Sequence, residues 1–160
     1  MKPYFSNPDR CEALRREAAT WVGTPFLPRG CNKGRGVDCI SLCAMIYMAL
    51  GLITVYRPPA YSMDGGSHLD ESQLEREINY TERFSKVWTR EGAGRVDVPA
   101  LTMAGDLVVS KLGRVTHHTG IVLSGEELIH AVDGPGVYKA YLRDPALARK
   151  VHTIYRPLEA

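Results

Sequence analysis

The sequence lacks any long run of apolar residues. Its N-terminus, MKPYFSNPDRCEALRREAAT, contains no apolar stretch of the length that a secretory signal requires. No other segment approaches the roughly 18 apolar residues of a membrane-spanning helix. We therefore expect a chain that is made in the cytoplasm, carries no secretory signal and has no membrane span.

The sequence also lacks a strong net charge, a basic tract and internal repeats. It has 20 Lys and Arg residues against 18 Asp and Glu residues, which leaves a formal net charge of +2. The basic residues are scattered, and no aromatic-and-basic pattern typical of an RNA-binding sheet is present, so nucleic acid is not an expected partner. With 160 residues, of which 44% are hydrophobic, the chain is long enough to bury a core. We expect one domain over residues 1–160.

Cysteine is scarce, and the cysteines are not paired in the sequence. The four are Cys11, Cys31, Cys39 and Cys43, and no two of them form a CxxC unit. This spacing argues against a zinc knuckle, and the lack of a secretory signal argues against a disulfide framework. Each cysteine must therefore be interpreted from its own surroundings.

Helix signals dominate the first half of the chain. Residues 6–9, SNPD, supply a capping side chain, a proline suited to the first turn and an acid near the positive end of the helix dipole. They predict a helix that ends by Gly23. Residues 38–50, DCISLCAMIYMAL, are almost entirely apolar and predict a buried helix capped by Gly51. A second, polar helix is expected within residues 69–88. The connecting segments are predicted to be loops: residues 24–36, 57–68 and 90–105.

Strand signals dominate the second half. Short runs rich in strand-forming residues are bounded by Gly, Pro, Ser or Asp: residues 105–112, 116–123, 127–133, 136–143 and 150–157. Consecutive short strands predict an antiparallel sheet. Helices followed by strands predict an α+β fold in which the central helix, residues 38–50, packs on one face of that sheet.

Cys39 occupies the first turn of the predicted central helix. Unpaired backbone N–H groups and the helix dipole favour an anion there, which predicts a thiol pKa below its usual value of about 8.5. Position alone leaves open the alternative that Cys39 is a small core residue, since buried cysteine is common. A nucleophilic role requires an imidazole that takes and returns the proton, and a third group that orients the imidazole.

Three of the five histidines lie on neighbouring predicted strands: His117, His118 and His130. Because adjacent residues of a strand point to opposite faces, only one of His117 and His118 can face the helix. His68 and His152 lie outside any motif, and we interpret them as surface or structural residues.

The turn between two strands decides which histidines meet. A three-residue hairpin loop at residues 123–125 would pair Val122 with Glu126 and set His118 directly opposite His130. Directly opposed residues share a face with Cβ atoms about 5 Å apart, which allows one imidazole to bond the other. A two-residue loop would move His130 to the other face. We favour the three-residue loop.

These spacings predict Cys39 as nucleophile, His118 as general base and then acid, and His130 as the orienting residue. A zinc site built from His117, His118 and His130 is the competing interpretation. Strand alternation argues against it, because His117 and His118 would diverge, and the sequence contains no HxH or HExxH spacing.

Four segments together carry a resemblance to a known family: WVGTPF (21–26), GVDCISL (36–42), GDLVV (105–109) and HTGIVLSGEELIHA (118–131). They resemble the NlpC-type cell-wall peptidases, small papain-like cysteine hydrolases, and among them the compact kind found in phages and phage-derived gene clusters. The order of cysteine before histidine also agrees with this family and not with its permuted relatives. The resemblance covers most of the chain and implies a papain-like α+β fold.

The resemblance implies hydrolysis of an amide bond in peptidoglycan stem peptides, typically between γ-D-glutamate and a diamino acid. The reaction would run through a thioester acyl-enzyme without a metal or cofactor. In the family, the aspartate before the nucleophile helps to hold the free amine of the peptide, and this role falls to Asp38; the alternative is a helix cap. Many members have a serine and a tyrosine where this chain has Ile40 and Phe26. Asp38, Ile40 and Phe26 are thus the predicted substrate-binding residues, and the missing hydroxyl groups leave the exact peptide open.

Two other functions stay open at this point. A structural or phage-tail-associated protein would keep the fold for assembly, and a thiol acyltransferase of the same fold would need a long apolar groove. The sequence shows no wall-binding module, so we expect a hydrolase of this kind to reach the cell wall with a phage tail or a secretion assembly as partner.

Overall fold

The computed structural model describes residues 1–54, 56, 73–80, 82–92, 94–112 and 115–160. The helices are a 3₁₀ turn at Tyr4–Ser6, α1 (Pro8–Ala19), α2 (Cys39–Ala49), α3 (Gln73–Tyr80), α4 (Val98–Leu101) and α5 (Pro145–Ala148). The strands are β1 (Cys31–Asn32), β2 (Gly36–Val37), β3 (Phe84–Thr89), β4 (Leu107–Leu112), β5 (Val115–Ser124), β6 (Glu127–Val132), β7 (Gly136–Tyr141) and β8 (Val151–Pro157). The predicted loop at 57–68, with His68, lies outside the described residues.

Six strands form one antiparallel sheet in the order β3-β8-β4-β5-β6-β7. The predicted strands from residue 105 onward correspond to β4 through β8, so the antiparallel sheet is confirmed. Helix α2 packs on the sheet against β5 and β6. The predicted α+β fold, with a central cysteine-bearing helix on an antiparallel sheet, is therefore confirmed.

The sheet is covered on both faces, as strand alternation requires. On the side of α2, the buried side chains of the central strands include Val109, Ile121 and Ile129. On the opposite side, Val108, Val122 and Leu128 pack with residues of α4 and α5. Odd-numbered residues of β5 near its middle thus face α2, and even-numbered ones face away.

The two predicted N-terminal helices are confirmed with their caps. Oδ1 of Asn7 accepts the backbone N–H of Asp9 at 2.8 Å, which starts α1. Gly51 follows α2 with a φ of 75°, a left-handed conformation that glycine adopts without strain. None of the helices in the described part of the chain is long and apolar enough to cross a membrane.

The predicted polar helix within residues 69–88 is confirmed as α3, and the rest of that segment contains a strand that sequence reasoning missed. Helix α3 covers only Gln73–Tyr80, and Phe84–Thr89 form β3 at one edge of the sheet, paired with β8. The sequence FSKVWT is rich in aromatic and β-branched residues, which suit a half-buried pleated surface better than a helix. The predicted loop at 24–36 also contains the short β1–β2 ladder.

The start of β4 is held by contacts to three distant segments. Asp106 is fully buried and binds Arg156 of β8 through two hydrogen bonds, at 2.9 and 2.7 Å. Burial raises the pKa of Asp106, and the bonds from Arg156 oppose that rise. The hydroxyl of Tyr47 in α2 donates to the carbonyl of Gly105 at 2.9 Å. Phe5 packs against Gly105 so closely that no side chain fits there.

We predict that Gly105→Ala lowers the free energy of unfolding by about 3 kcal/mol, from left-handed backbone strain and overpacking together. The φ of Gly105 is 87°, and an added Cβ would lie 1.8 Å from Cδ2 of Phe5. Urea denaturation measures the loss. Gly94→Ala is the matched control, since a Cβ at Gly94 meets nothing within 4 Å. Equal stability of the two variants would contradict the prediction.

Candidate active site

Asp38 caps α2 and so sets the position of Cys39, the first residue of that helix. Its Oδ1 accepts the backbone N–H of Ser41 at 2.7 Å, and its Oδ2 accepts the backbone N–H of Arg29 at 2.8 Å. The side chain is buried, with 5% of its surface exposed. The carboxylate therefore joins the preceding loop to the first turn of α2. Asp38 does serve as a helix cap; its predicted contact with a substrate amine stays a prediction.

Thr119 of β5 joins the start of α2 to the sheet. Its hydroxyl donates to the carbonyl of Cys39 at 2.9 Å and accepts from Sγ of Cys43 at 3.6 Å. Its backbone also bonds the sulfur of Cys39. The β5–β6 ladder ends at the pair Gly120 and His130, so Thr119 lies just beyond the last residue of β5 that pairs with β6. The thiol of Cys39 thus lies against the part of β5 that carries His118.

The thiol of Cys39 is enclosed although the residue keeps some exposed surface. Burial raises the pKa of Cys39 to about 11, and the charge of Asp38 adds to the rise. Hydrogen bonds from Thr119 and from the backbone of Ile40 act in the opposite direction. The prediction of a lowered thiol pKa is therefore wrong: burial and the adjacent carboxylate outweigh the helix terminus. At neutral pH the resting thiol is protonated.

His118 and His130 form a buried hydrogen-bonded pair. Nε2 of His118 lies 2.9 Å from Nδ1 of His130, and the two residues are 6% and 4% exposed. Burial lowers the pKa of His118 to about 3, with a further contribution from His130. Burial also lowers the pKa of His130 to about 4. Both imidazoles are thus neutral at neutral pH.

The turn that brings the two histidines together differs from the predicted one. Residues 125 and 126 form a two-residue loop, so the predicted three-residue loop and its register are wrong. A bulge at Leu123 adds one residue to β5 beyond this loop. Gly120 therefore lies directly opposite His130, and His118, two residues along β5, is its diagonal neighbour. The bulge compensates for the shorter loop, because it returns both histidines to one face.

The face that carries the histidines is the one opposite α2. Thr119 points toward α2, and strand alternation turns the neighbouring His118 to the other side, where it meets His130. The expectation that His118 faces the helix is therefore wrong. The backbone of Thr119, which bonds the sulfur of Cys39, lies between the two faces, where β5 extends past its pairing with β6. Tyr138 of β7 is paired directly with His130, and the two ring centroids are 4.7 Å apart. A Cβ at Gly120 would lie 2.2 Å from Cδ1 of Leu128, 3.0 Å from the carbonyl oxygen of Ile129 and 3.3 Å from Cβ of His130, so a larger residue there requires Leu128 to shift.

The remaining predicted residues lie around the start of α2. Phe26 and Ile40 are half-buried and pack against the core, and Phe26 forms a bridge with Val37, next to Asp38. Among the described side chains, which do not include that of His117, no group of three or more potential metal ligands occurs.

Sequence reasoning missed several residues near Cys39, the predicted nucleophile. The hydroxyls of Ser41 and Tyr56 lie 3.4 Å apart in a buried position. Burial raises the pKa of Tyr56, and the charge of Asp38 adds to the rise. Thr119 was missed as well, although it directly follows His118. Alternation would have identified Thr119 only after the side of the sheet that α2 covers was known.

Comparison with known families supports this architecture. The model of the NlpC/P60 family matches residues 23–156. Among curated proteins, no sequence matches the chain.

Three solved structures share the fold. A lipoprotein-like NLP/P60 family protein from Staphylococcus aureus matches with a TM-score of 0.64, at 19% identity, over 100% of this chain and 45% of its own. An NlpC/P60 family protein from Bacillus cereus matches with a TM-score of 0.59, at 19% identity, over 93% of this chain and 40% of its own. The NlpC/p60 domain of the peptidoglycan hydrolase SagA matches with a TM-score of 0.50, at 19% identity, over 90% and 96%. The chain thus spans less than half of the first two proteins.

We predict that acid destabilises the protein through the histidine pair. The pKa of each buried imidazole is lower in the folded chain than the ordinary 6.5, so below pH 6.5 the unfolded chain binds protons that the folded chain does not. At pH 5 each histidine should remove about 2 kcal/mol from the free energy of unfolding. Urea denaturation at pH 7 and pH 5 tests this. His130→Gln should show a smaller drop, and an identical drop in both proteins would contradict the assignment.

We also predict that Thr119→Val lowers the free energy of unfolding by about 1 kcal/mol, because the isosteric side chain removes the bond to the carbonyl of Cys39 and leaves Sγ of Cys43 without its acceptor. Thr119→Ser keeps the hydroxyl and is the matched control. Thermal and urea denaturation measure both variants. The prediction fails if valine is tolerated as well as serine.

Proposed function

The chain belongs to the NlpC/P60 family, and we propose that it is a cysteine peptidase that hydrolyses amide bonds in peptidoglycan stem peptides. The observation that carries the proposal is the neutral, hydrogen-bonded pair of His118 and His130. His118 lies on β5, the strand that also bonds Cys39 through Thr119. The name of one structural neighbour, a peptidoglycan hydrolase, supports the substrate class.

In the acylation step, Sγ of Cys39 attacks the carbonyl carbon of the scissile amide. Nε2 of His118 is bound to His130, so Nδ1 is the nitrogen that takes the thiol proton. Because thiol and imidazole are both neutral at rest, the proton moves as the S–C bond forms. His118 then gives this proton to the leaving nitrogen, the C–N bond breaks, an amine departs and a thioester remains on Cys39.

In the deacylation step, a water molecule attacks the thioester while His118 takes a proton from that water. The C–S bond breaks, the peptide leaves as a carboxylic acid, and the proton returns to the sulfur of Cys39. In both steps the attacked carbonyl oxygen becomes negatively charged. It accepts hydrogen bonds from the backbone N–H of Cys39, at the positive end of α2, and from a neighbouring donor. Such a donor contributes roughly 3 kcal/mol of transition-state stabilisation in hydrolases.

The substrate side of the proposal rests on three residues near the start of α2. Asp38 directly precedes Cys39, and its buried carboxylate is the proposed site for the free amine of a stem peptide, because opposite charges attract strongly at short distance. Phe26, which precedes Asp38 in the chain, and Ile40, which follows it, are proposed to supply apolar contacts to the substrate. The proposed bond is the one between γ-D-glutamate and the diamino acid. A partner that delivers the protein to the wall stays a prediction.

Purified diaminopimelate-type muropeptides, incubated with the protein and analysed by mass spectrometry, test the proposal. We expect the wild type to release fragments cut after D-glutamate and Cys39→Ala to lose activity on the order of 10⁴-fold or more. Cys43→Ala is the matched control: it lies one turn farther along α2 and is proposed to have no catalytic role.

Two results would overturn the proposal. Cutting by Cys39→Ala at the wild-type rate would remove Cys39 from the mechanism. An uncut muropeptide pool, together with rapid labelling of Cys39 by iodoacetamide, would remove the substrate class and direct attention to acyl transfer.

A further inference from the structure

Nε2 of His130 is buried and has no hydrogen-bond partner among the described residues. The other ring nitrogen, Nδ1, is taken by His118. A buried polar atom without a partner is rare in folded proteins and requires an explanation. The explanation matters here because a neutral imidazole carries its single proton on one nitrogen or the other.

The proposed mechanism determines where these protons must be. If Nδ1 of His118 is to accept the thiol proton, its own proton lies on Nε2, which donates to Nδ1 of His130. The proton of His130 then lies on Nε2, the atom without a partner. In the opposite arrangement, Nδ1 of His130 donates to Nε2 of His118, and the proton of His118 occupies Nδ1. That arrangement blocks the attack.

The hydrogen bond between the two rings does not choose between these arrangements. Each arrangement makes one N–H···N bond at the same 2.9 Å separation. The choice must come from a group that interacts differently with Nε2 of His130 when that atom carries a proton. Among the described residues, the ring that contacts His130 besides that of His118 is the ring of Tyr138.

Tyr138 has the geometry for this task. It is paired directly with His130 across β6 and β7, whereas His118 approaches from β5 on the other side. The ring centroids are 4.7 Å apart, and the ring planes are inclined by 64°. In a T-shaped pair, the edge of one ring points at the π-face of the other, and an N–H group at that edge is attracted to the electron-rich face.

We propose that the ring of Tyr138 accepts the Nε2–H of His130 and thereby holds His118 and His130 in the tautomers that leave Nδ1 of His118 free to act as the base. Tyr138 is then a positioning residue, and this role rests on the proposed function. Tyr138 is 37% exposed, whereas His130 is 4% exposed. In this role the ring of Tyr138 also separates His130 from solvent. Acceptance of the N–H group and exclusion of solvent both depend on the aromatic ring of Tyr138, and neither depends on its hydroxyl group.

Nitrogen-15 NMR of histidine-labelled protein at pH 7 tests the tautomers directly in the resting protein. Two-bond nitrogen–proton correlations show which ring nitrogen carries the proton, and His118→Gln and His130→Gln assign the signals. We expect Nε2–H on both histidines in the wild type and in Tyr138→Phe. In Tyr138→Leu we expect a mixture of tautomers. Tyr141→Leu, an exposed tyrosine on the same strand, is the matched control and should keep the wild-type pattern.

Kinetics on a muropeptide supply the second readout. In Tyr138→Leu the value of kcat/KM should fall in proportion to the competent tautomer fraction, roughly twofold if the two tautomers become equal. The acid limb of its pH profile should move to higher pH, because water reaches His130 and weakens the burial that lowers its pKa. Tyr138→Phe should restore both values.

The outcomes separate this inference from the proposed function. Nδ1–H on His130 in the wild type, or an unchanged tautomer and pH profile in Tyr138→Leu, would overturn the role of Tyr138. If Tyr138→Leu does not fold, Tyr138→Met replaces it with the same expectations. Muropeptides left uncut by a wild type that shows the expected tautomers would overturn the proposed function and leave the tautomer assignment standing.

Discussion

The arrangement of the site depends on the hydrogen bond from the hydroxyl of Thr119 to the carbonyl of Cys39. Most of the packing between α2 and the sheet is apolar, and apolar contact is not directional. A buried hydrogen bond has a defined length and angle, so it fixes the first turn of α2 at one position along β5. Because His118 is the neighbour of Thr119, the same bond fixes the proposed nucleophile, Cys39, relative to the strand that carries the proposed base.

A second constraint acts within the sheet itself. The two-residue loop alone would have left His118 and His130 on opposite faces of the sheet. The bulge at Leu123 shifts the register by one residue and so places both histidines on the same face. Gly120, directly opposite His130, leaves the space through which the two imidazoles approach. The loop and the bulge together set the face on which the histidines lie, and neither of them is part of the chemistry. The hydrogen bond between the imidazoles is therefore a property of the hairpin as a whole.

The elements with local signals could be predicted from the sequence. The Asn7 cap, the apolar run that begins at Cys39 and the glycine after it are read from a few adjacent residues, and the structure bears them out. Strand β3 could not be predicted in the same way. Its six residues stand directly after a polar helical pattern, and their pairing partner, β8, lies about half the chain away. Only the finished sheet shows that this segment is an edge strand.

The residues of the candidate site could be predicted from the sequence, but their relative positions and their burial could not. Short-range pattern placed His118 and His130 on adjacent strands, but the register depends on whether a bulge follows the loop, and single-sequence spacing cannot reveal a bulge. The thiol pKa was predicted with the wrong sign for a related reason. The helix-terminus effect is local and readable, whereas the burial of Cys39 arises from tertiary packing. Contributions that require the whole fold are the ones that sequence reasoning missed.

The neutral resting state links substrate recognition to the chemistry. The charge of Asp38 is one of the two effects that raise the pKa of Cys39, and burial is the larger. A bound ammonium group would offset the charge of Asp38, because opposite charges within a few ångströms largely cancel at a third site. Under the proposed function, the amine of a stem peptide therefore removes part of the barrier to thiolate formation at the moment when it binds. The same carboxylate keeps the empty site less reactive, since a protonated thiol is a poor nucleophile and resists oxidation. A peptide that lacks the free amine would leave that repulsion in place, so selectivity for the amine would be expressed in the chemical step as well as in binding.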